Sequence, residues 1–266
     1  MSIESELTRI ENAKSSLRTA LIGQGQTVDV NATIDTYSTK VSDIPNADPF
    51  ITGQVAGAVT SNVSGMRDYA FAYCTEITSL SMPNIYGISA HGLRYCTSLA
   101  SVNLPQLNYI NHWGMAYCEA ITSISFANVQ NLGESAFKNC TALTSVSLPS
   151  CTYIDKEAFY YCTSLASVYL PNVTSIPNRC FVSCWALTSI DLPNVTSIDL
   201  AAFSDCTSLT SITLRANQVC TLGSFALPSG QNITVYVPSN LIASYQVAPE
   251  WSSYYQNGDI TFAAIS

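Results

Sequence analysis

Ten cysteines and two histidines are the residues of this chain with the most chemistry to offer. Thiols and imidazoles could hold zinc, form a disulfide framework or supply a nucleophile and its base. Their spacing decides among these. Seven cysteines recur at a constant interval of 22: Cys74, Cys96, Cys118, Cys140, Cys162, Cys184 and Cys206. Zinc sites use close Cys pairs, and the chain has no C-x2-C. Catalysis needs a base beside a nucleophile or paired carboxylates in a cleft. His91 and His112 lie on neighbouring repeats without a third ligand in register, and no G-x-S-x-G, H-E-x-x-H or Gly-rich phosphate loop occurs. The reading is therefore no enzyme, no metal and no cofactor.

The second group with chemistry is aromatic. Counting from each repeated cysteine, positions −5 and −1 are Tyr69 and Tyr73, His91 and Tyr95, then Trp113 and Tyr117. Residues four apart on a short helix share a face, so stacked repeats would set these six rings in two adjacent ladders. Rings with a polar tip suit protein surfaces and sugar faces, although tyrosines at −1 could equally serve as packing between repeats. A second candidate surface lies at the outward strand positions +5 and +7, where serine is monotonous and Tyr169 and Asp191 stand out. That face is either a hydrogen-bonding floor for a partner or a solvated sheet.

What positions these residues is the repeat itself. Ala136-Phe-Lys-Asn-Cys-Thr-Ala-Leu-Thr-Ser-Val-Ser-Leu-Pro149 is followed by Ala158-Phe-Tyr-Tyr-Cys-Thr-Ser-Leu-Ala-Ser-Val-Tyr-Leu-Pro171. A fixed period with recurrent leucine predicts a leucine-rich α/β solenoid of about seven 22-residue coils. Val146 and Leu148 alternate with Ser145 and Ser147, a half-buried strand that Pro149 ends because proline donates no ladder hydrogen bond. Small and aromatic residues at −4 and −3, such as Ala136 and Phe137, predict one or two helical turns on the other side. The strands would stack into one parallel sheet. Cys151, Cys180 and Cys220 occupy positions that other coils fill with Val, Ile, Leu or Ala, so all ten cysteines are expected as buried free thiols. The Asn172 and Asn194 glycosylation sequons are by-products of a repeated Pro-Asn-Val-Thr.

The ends read differently. Residues 1–45 carry a helical stripe of Ile3, Leu7, Ile10, Leu17 and Leu21, then a shorter pattern over Ile34, Tyr37, Val41 and Ile44. They are expected as an attachment or homo-oligomerisation segment, or as a hairpin packing on itself. Residues 46–62 read as a linker and capping strand, 63–216 as the solenoid and 217–266 as a carboxy-terminal cap with a strand, a helix and a closing strand.

The unit Ala-Phe-x-x-Cys-Thr-x-Leu-x-x-Val-x-Leu-Pro resembles the bacterial surface-antigen (BspA-like) leucine-rich repeats, as does the Val-Tyr-Val-Pro-Ser ending with its Tyr, Trp and Tyr. The resemblance implies adhesion or protein recognition at a bacterial cell surface, with a protein or a cell-surface glycan as partner. Residues 1–45 resemble amino-terminal segments of phage and prophage tail or minor structural proteins, which implies a virion component. The amino terminus has no basic flank followed by an apolar core, and so does not read as a signal peptide.

Composition agrees with a recognition scaffold. Net charge is −8 and only 11% of residues are charged, against about 25% in ordinary domains. The acidic balance disfavours nucleic acid, and no apolar run of membrane-spanning length occurs. Hydrophobic residues at 47% exclude a disordered chain.

Overall fold

The computed structural model describes residues 56–265; the expected amino-terminal helices and most of the linker lie outside the described residues. The described chain winds into a solenoid of about eight coils with parallel strands on two faces. One face carries the expected strands, including Ile77–Ser81, Ser101–Asn103, Ser123–Ser125, Ser145–Ser147, Ser167–Tyr169, Ser189–Leu192 and Ser211–Leu214. Each pairs in parallel with the equivalent residue one coil away, as Ser145 with Ser167 and Asp191 with Thr213. Inward Val146, Ile190 and Leu192 are buried while the serines between them stay partly or wholly exposed.

A second face was not expected. Positions +13 and +14 form two-residue strands such as Tyr109–Ile110, Asn131–Leu132 and Tyr153–Ile154, and these also pair in parallel. The apolar residue at +14 closes the core from that side.

The predicted helical turns are corrected by the structure. The segment before each cysteine is a run of turns in which positions −5 and −1 adopt left-handed backbone, φ +55 to +66°, in all seven coils. None of these residues is glycine or β-branched, and left-handed backbone costs an L-residue about 1 kcal/mol or more. The cost is offset by hydrogen bonds between coils. N–H groups at −5, −3 and −1 donate to carbonyls of the next coil, as Tyr69 to Ala90, Phe71 to Gly92 and Tyr73 to Arg94. The alternate N–H groups close turns within the coil, as Ala72 to Tyr69 and Cys74 to Phe71.

The cysteines sit where this ladder meets the core. All ten are buried free thiols. Cys96 Sγ donates to the Phe71 carbonyl at 3.1 Å, Cys162 to Phe137 at 3.1 Å and Cys206 to Phe181 at 3.0 Å. A small apolar side chain with one weak donor fits this site. Burial pushes the Cys140, Cys206 and Cys220 thiols up to about 12, so they stay protonated and poorly nucleophilic.

Strand Gly57–Thr60 pairs with Ile77–Ser81 and caps the array at one end. At the other, Ile233–Val237 continues the sheet, helices Ile242–Val247 and Trp251–Gln256 cover the last coil, and Ile260–Ala264 closes it. Buried Trp251 donates from Nε1 to the Cys220 carbonyl at 2.7 Å, and Tyr245 Oη accepts from the Cys220 N–H at 2.9 Å. These two rings thereby satisfy backbone groups that a further coil would have taken up. No described helix is long and apolar enough to cross a membrane.

Candidate functional site

The six predicted rings do come together, although on left-handed turns rather than a helix face. In the −5 column Tyr69 stacks on His91 at 4.4 Å and His91 on Trp113 at 6.2 Å. In the −1 column Tyr73 stacks on Tyr95 at 4.9 Å and Tyr95 on Tyr117 at 4.2 Å. Trp113 and Tyr117 join the columns, 6.4 Å apart and nearly coplanar in orientation. The coil rise is close to the separation that stacked rings prefer, so the faces that meet across coils are taken up by their neighbours, while Tyr73 at the column's end stays 44% exposed. Edges and hydroxyls remain for solvent.

Two cations unnoticed in the sequence fill the space between the columns, both from position −2. The Arg94 guanidinium lies 4.6 Å from the Trp113 ring centre and 5.0 Å from that of Tyr95. Lys138 lies 5.0 Å from Trp113 and 4.5 Å from Tyr160. Trp113 is thus clamped by two cations, each contact worth about 0.5–1 kcal/mol. Lys138 is also neutralised by Glu157 at 2.8 Å, whereas Arg94 meets no carboxylate among the described residues. Its hydrogen-bonding neighbour is His91 Nδ1 at 3.4 Å. Burial first, then the Arg94 charge, lowers the His91 pKa below its ordinary value; Asp68 opposes this and His112 reinforces it. Burial and a hydrogen bond with Tyr95 raise that of Tyr117.

Beyond Tyr117 the same edge changes character. Lys138 and Glu157 pair, Arg179 approaches Glu157 at 3.8 Å, and Lys156 meets Glu134 at 3.3 Å. Charges are tolerated on adjacent coils here because their signs alternate.

On the strand face, Tyr169 is exposed and Asp191 is engaged. Arg215 donates to Asp191 from Nε at 3.1 Å and from Nη2 at 2.9 Å, a two-pronged pair across coils. Arg215 replaces the strand-ending proline of other coils, a departure visible in the sequence though its partner was not. Asn172 and Asn194 donate their carboxamides to Pro149 and Pro171 carbonyls at 2.6 and 2.7 Å, which gives the sequon asparagines a structural job. His112 Nδ1 accepts from the Glu134 N–H at 3.2 Å, and no described cluster of three His, Cys, Asp or Glu could hold a metal.

Fold and edge together define a leucine-rich repeat solenoid with patterned surfaces and no assembled catalytic group among the described residues. The family model for the BspA type leucine-rich repeat region matches residues 64–184 and 132–248, and the chain belongs to that family. No catalytic family is indicated. A leucine-rich repeat protein of T. pallidum is similar in structure, at 23% identity and a TM-score of 0.47, over 81% of this chain and 91% of that one. A leucine-rich repeat protein of Bacteroides ovatus gives 20% and 0.42 over 80% and 70% of the two chains. A leucine rich cell surface protein of Faecalibacterium prausnitzii gives 19% and 0.31 over 78% and 63%. Among curated proteins there is no significant match.

Proposed function

We propose that the chain is a non-enzymatic recognition protein that binds a protein partner through the aromatic edge of its Cys74, Cys96 and Cys118 coils. The supporting observation is the pair of ring columns bracketing Arg94, a cation without a carboxylate partner among the described residues. Tyrosine and arginine supply rigid contact area and directed hydrogen bonds, the composition that dominates interface energetics. Stacking withdraws the ring faces a sugar would use, so this edge favours a protein with an acidic residue aimed at Arg94.

The test is binding of labelled protein to panels of bacterial and epithelial cells, before and after protease treatment of the cells. Tyr73→Ala, Tyr95→Ala and Trp113→Ala should each weaken protease-sensitive binding at least about tenfold, the loss expected for a contact worth ~1.4 kcal/mol. Unchanged affinity in all three discards the edge. Residues 1–45 serve in this proposal as the attachment or oligomerisation segment; deleting them should lower the number of chains per particle measured by light scattering. Their resemblance to phage tail segments supports a virion setting, with a bacterial cell surface as the alternative. Neighbouring genes for tail, holin or lysin proteins, against genes for surface anchoring, separate the two.

A further inference from the structure

The corner between the two sheet faces carries a feature that the aromatic edge does not explain. In the Cys162 and Cys184 coils positions +9 to +12 read Pro-Asn-Val-Thr, and there the polar groups are consumed by the fold. Asn194 donates to Pro171 and Thr196 Oγ1 to the Thr174 carbonyl. Early coils depart from this text: position +12 is Tyr86, then Asn108, then Gln130, and position +10 of the Cys96 coil is Gln106. Tyr86, Gln106 and Gln130 are longer than the threonine or asparagine that stands there in the Cys162 and Cys184 coils.

Together these residues line an open depression of about 290 Å³, formed by Tyr86, Gln106, Asn108, Asn128, Gln130 and Ser150. That volume is at the small end of ligand clefts. No lining residue is charged. Two carboxamides are fixed in place by backbone, Asn128 donating to Pro105 at 3.1 Å and Asn108 to the Asn128 carbonyl at 3.2 Å. One N–H of each is thereby spent, which leaves the second N–H as a donor and Oδ1 as an acceptor. Gln106 and Gln130 bring both donors and acceptors. At one end stands Tyr86, 56% exposed and held edge-on by Tyr109 at 5.9 Å. Tyr109 lies over Gly87, where a Cβ would fall 2.0 Å from its ring, so only glycine lets Tyr109 support Tyr86.

We infer that this depression is a binding site for a neutral oligosaccharide. A row of uncharged amides offers paired donors and acceptors matched to vicinal hydroxyls, and the exposed Tyr86 ring offers an apolar platform for a pyranose face. An anionic glycan finds no cation there, and an apolar ligand would desolvate four amides without replacing their hydrogen bonds. The site stands independently of the aromatic edge, on a different corner of the coil.

The experiment is a glycan array followed by calorimetry, with neutral hexasaccharides of glucose, mannose, xylose and N-acetylglucosamine and with heparin hexasaccharide as the charged probe. Saturable binding of at least one neutral oligosaccharide is expected, weakened at least about tenfold by Tyr86→Ala and by the Gln106→Ala/Gln130→Ala pair. These side chains are exposed, and unchanged far-UV dichroism confirms each variant's fold; the glutamine pair carries the test if Tyr86→Ala does not fold. Trp113→Ala should leave this binding intact, which separates the site from the aromatic edge. Absence of neutral binding, binding of heparin alone, or binding unmoved by the groove variants overturns the inference.

Discussion

The Cys74, Cys96 and Cys118 coils and the Cys140 to Cys206 coils stack rings on opposite sides of the same wall. In the first set the columns stand at the surface, while the inward position −3 holds Phe71, Leu93 and Met115. In the second set Phe137, Phe159, Phe181 and Phe203 stack inside at 5.3–5.6 Å, fully buried, and the surface above them carries ion pairs. Coil spacing permits ring stacking at either place. Inside, stacking removes whole rings from water. Outside, it removes only the faces and leaves an edge of hydroxyls and one arginine for contact. The internal stack therefore serves stability, while the external one supplies the surface on which the proposed recognition rests.

The contrast is testable, starting from the core that both sets share. Ellman's reagent should find no rapidly reacting thiol in the native protein and ten in guanidinium, whereas fewer than ten under denaturing, non-reducing conditions would mean disulfides. Phe159→Ala removes a buried ring stacked on both sides and should cost about 3–5 kcal/mol in denaturant unfolding. Trp113→Ala should cost less, about 2 kcal/mol, because its ring is only partly buried; a cost equal to that of Phe159→Ala would erase the distinction between the two stacks. Glu157→Gln breaks its pairs with Lys138 and Arg179 and should cost about 1 kcal/mol or less. That cost should shrink in 1 M salt (a Debye length of about 3 Å), whereas the Trp113→Ala cost should not.

The smallest effect is that of pH. The folded state lowers the His91 pKa below 6.5, so it disfavours the imidazolium relative to the unfolded chain. The unfolded chain then binds more protons, and the stability His91 contributes is present above pH 6.5 and lost as pH falls below it. His91→Phe keeps a ring in the stack and should flatten this part of the pH profile. An unchanged profile would remove His91 as its source.

Much of the architecture was legible because it depends on residue types pointing inward at fixed spacing. The alternation Val146, Ser147, Leu148 announces a strand, and Cys151, Cys180 and Cys220 betray inward positions by replacing small or aliphatic residues. The left-handed turns left no such mark. They are set by hydrogen bonds to residues 21 positions away, as Tyr73 to Arg94, and the residues that adopt them range from tryptophan to alanine. The ring ladders were anticipated, but Arg94 and Lys138 between them were not, since position −2 follows no pattern. The second sheet escaped because two residues are too short for any periodicity. The amide groove lay in view as departures at +10 and +12, and needed the stacking of coils to become one depression.

The hydrogen bonds that run from each turn to the next coil have a genetic corollary. Every coil offers its successor the same donors and acceptors in the same register, so an unequal crossover between two repeats restores a complete junction when it preserves the 22-residue phase. Copy number can therefore drift without refolding the remainder, with coils gained or lost as whole units. A frame slip of a single residue inside one coil is a different event, because it would turn a buried thiol outward and unpair three junction bonds at once.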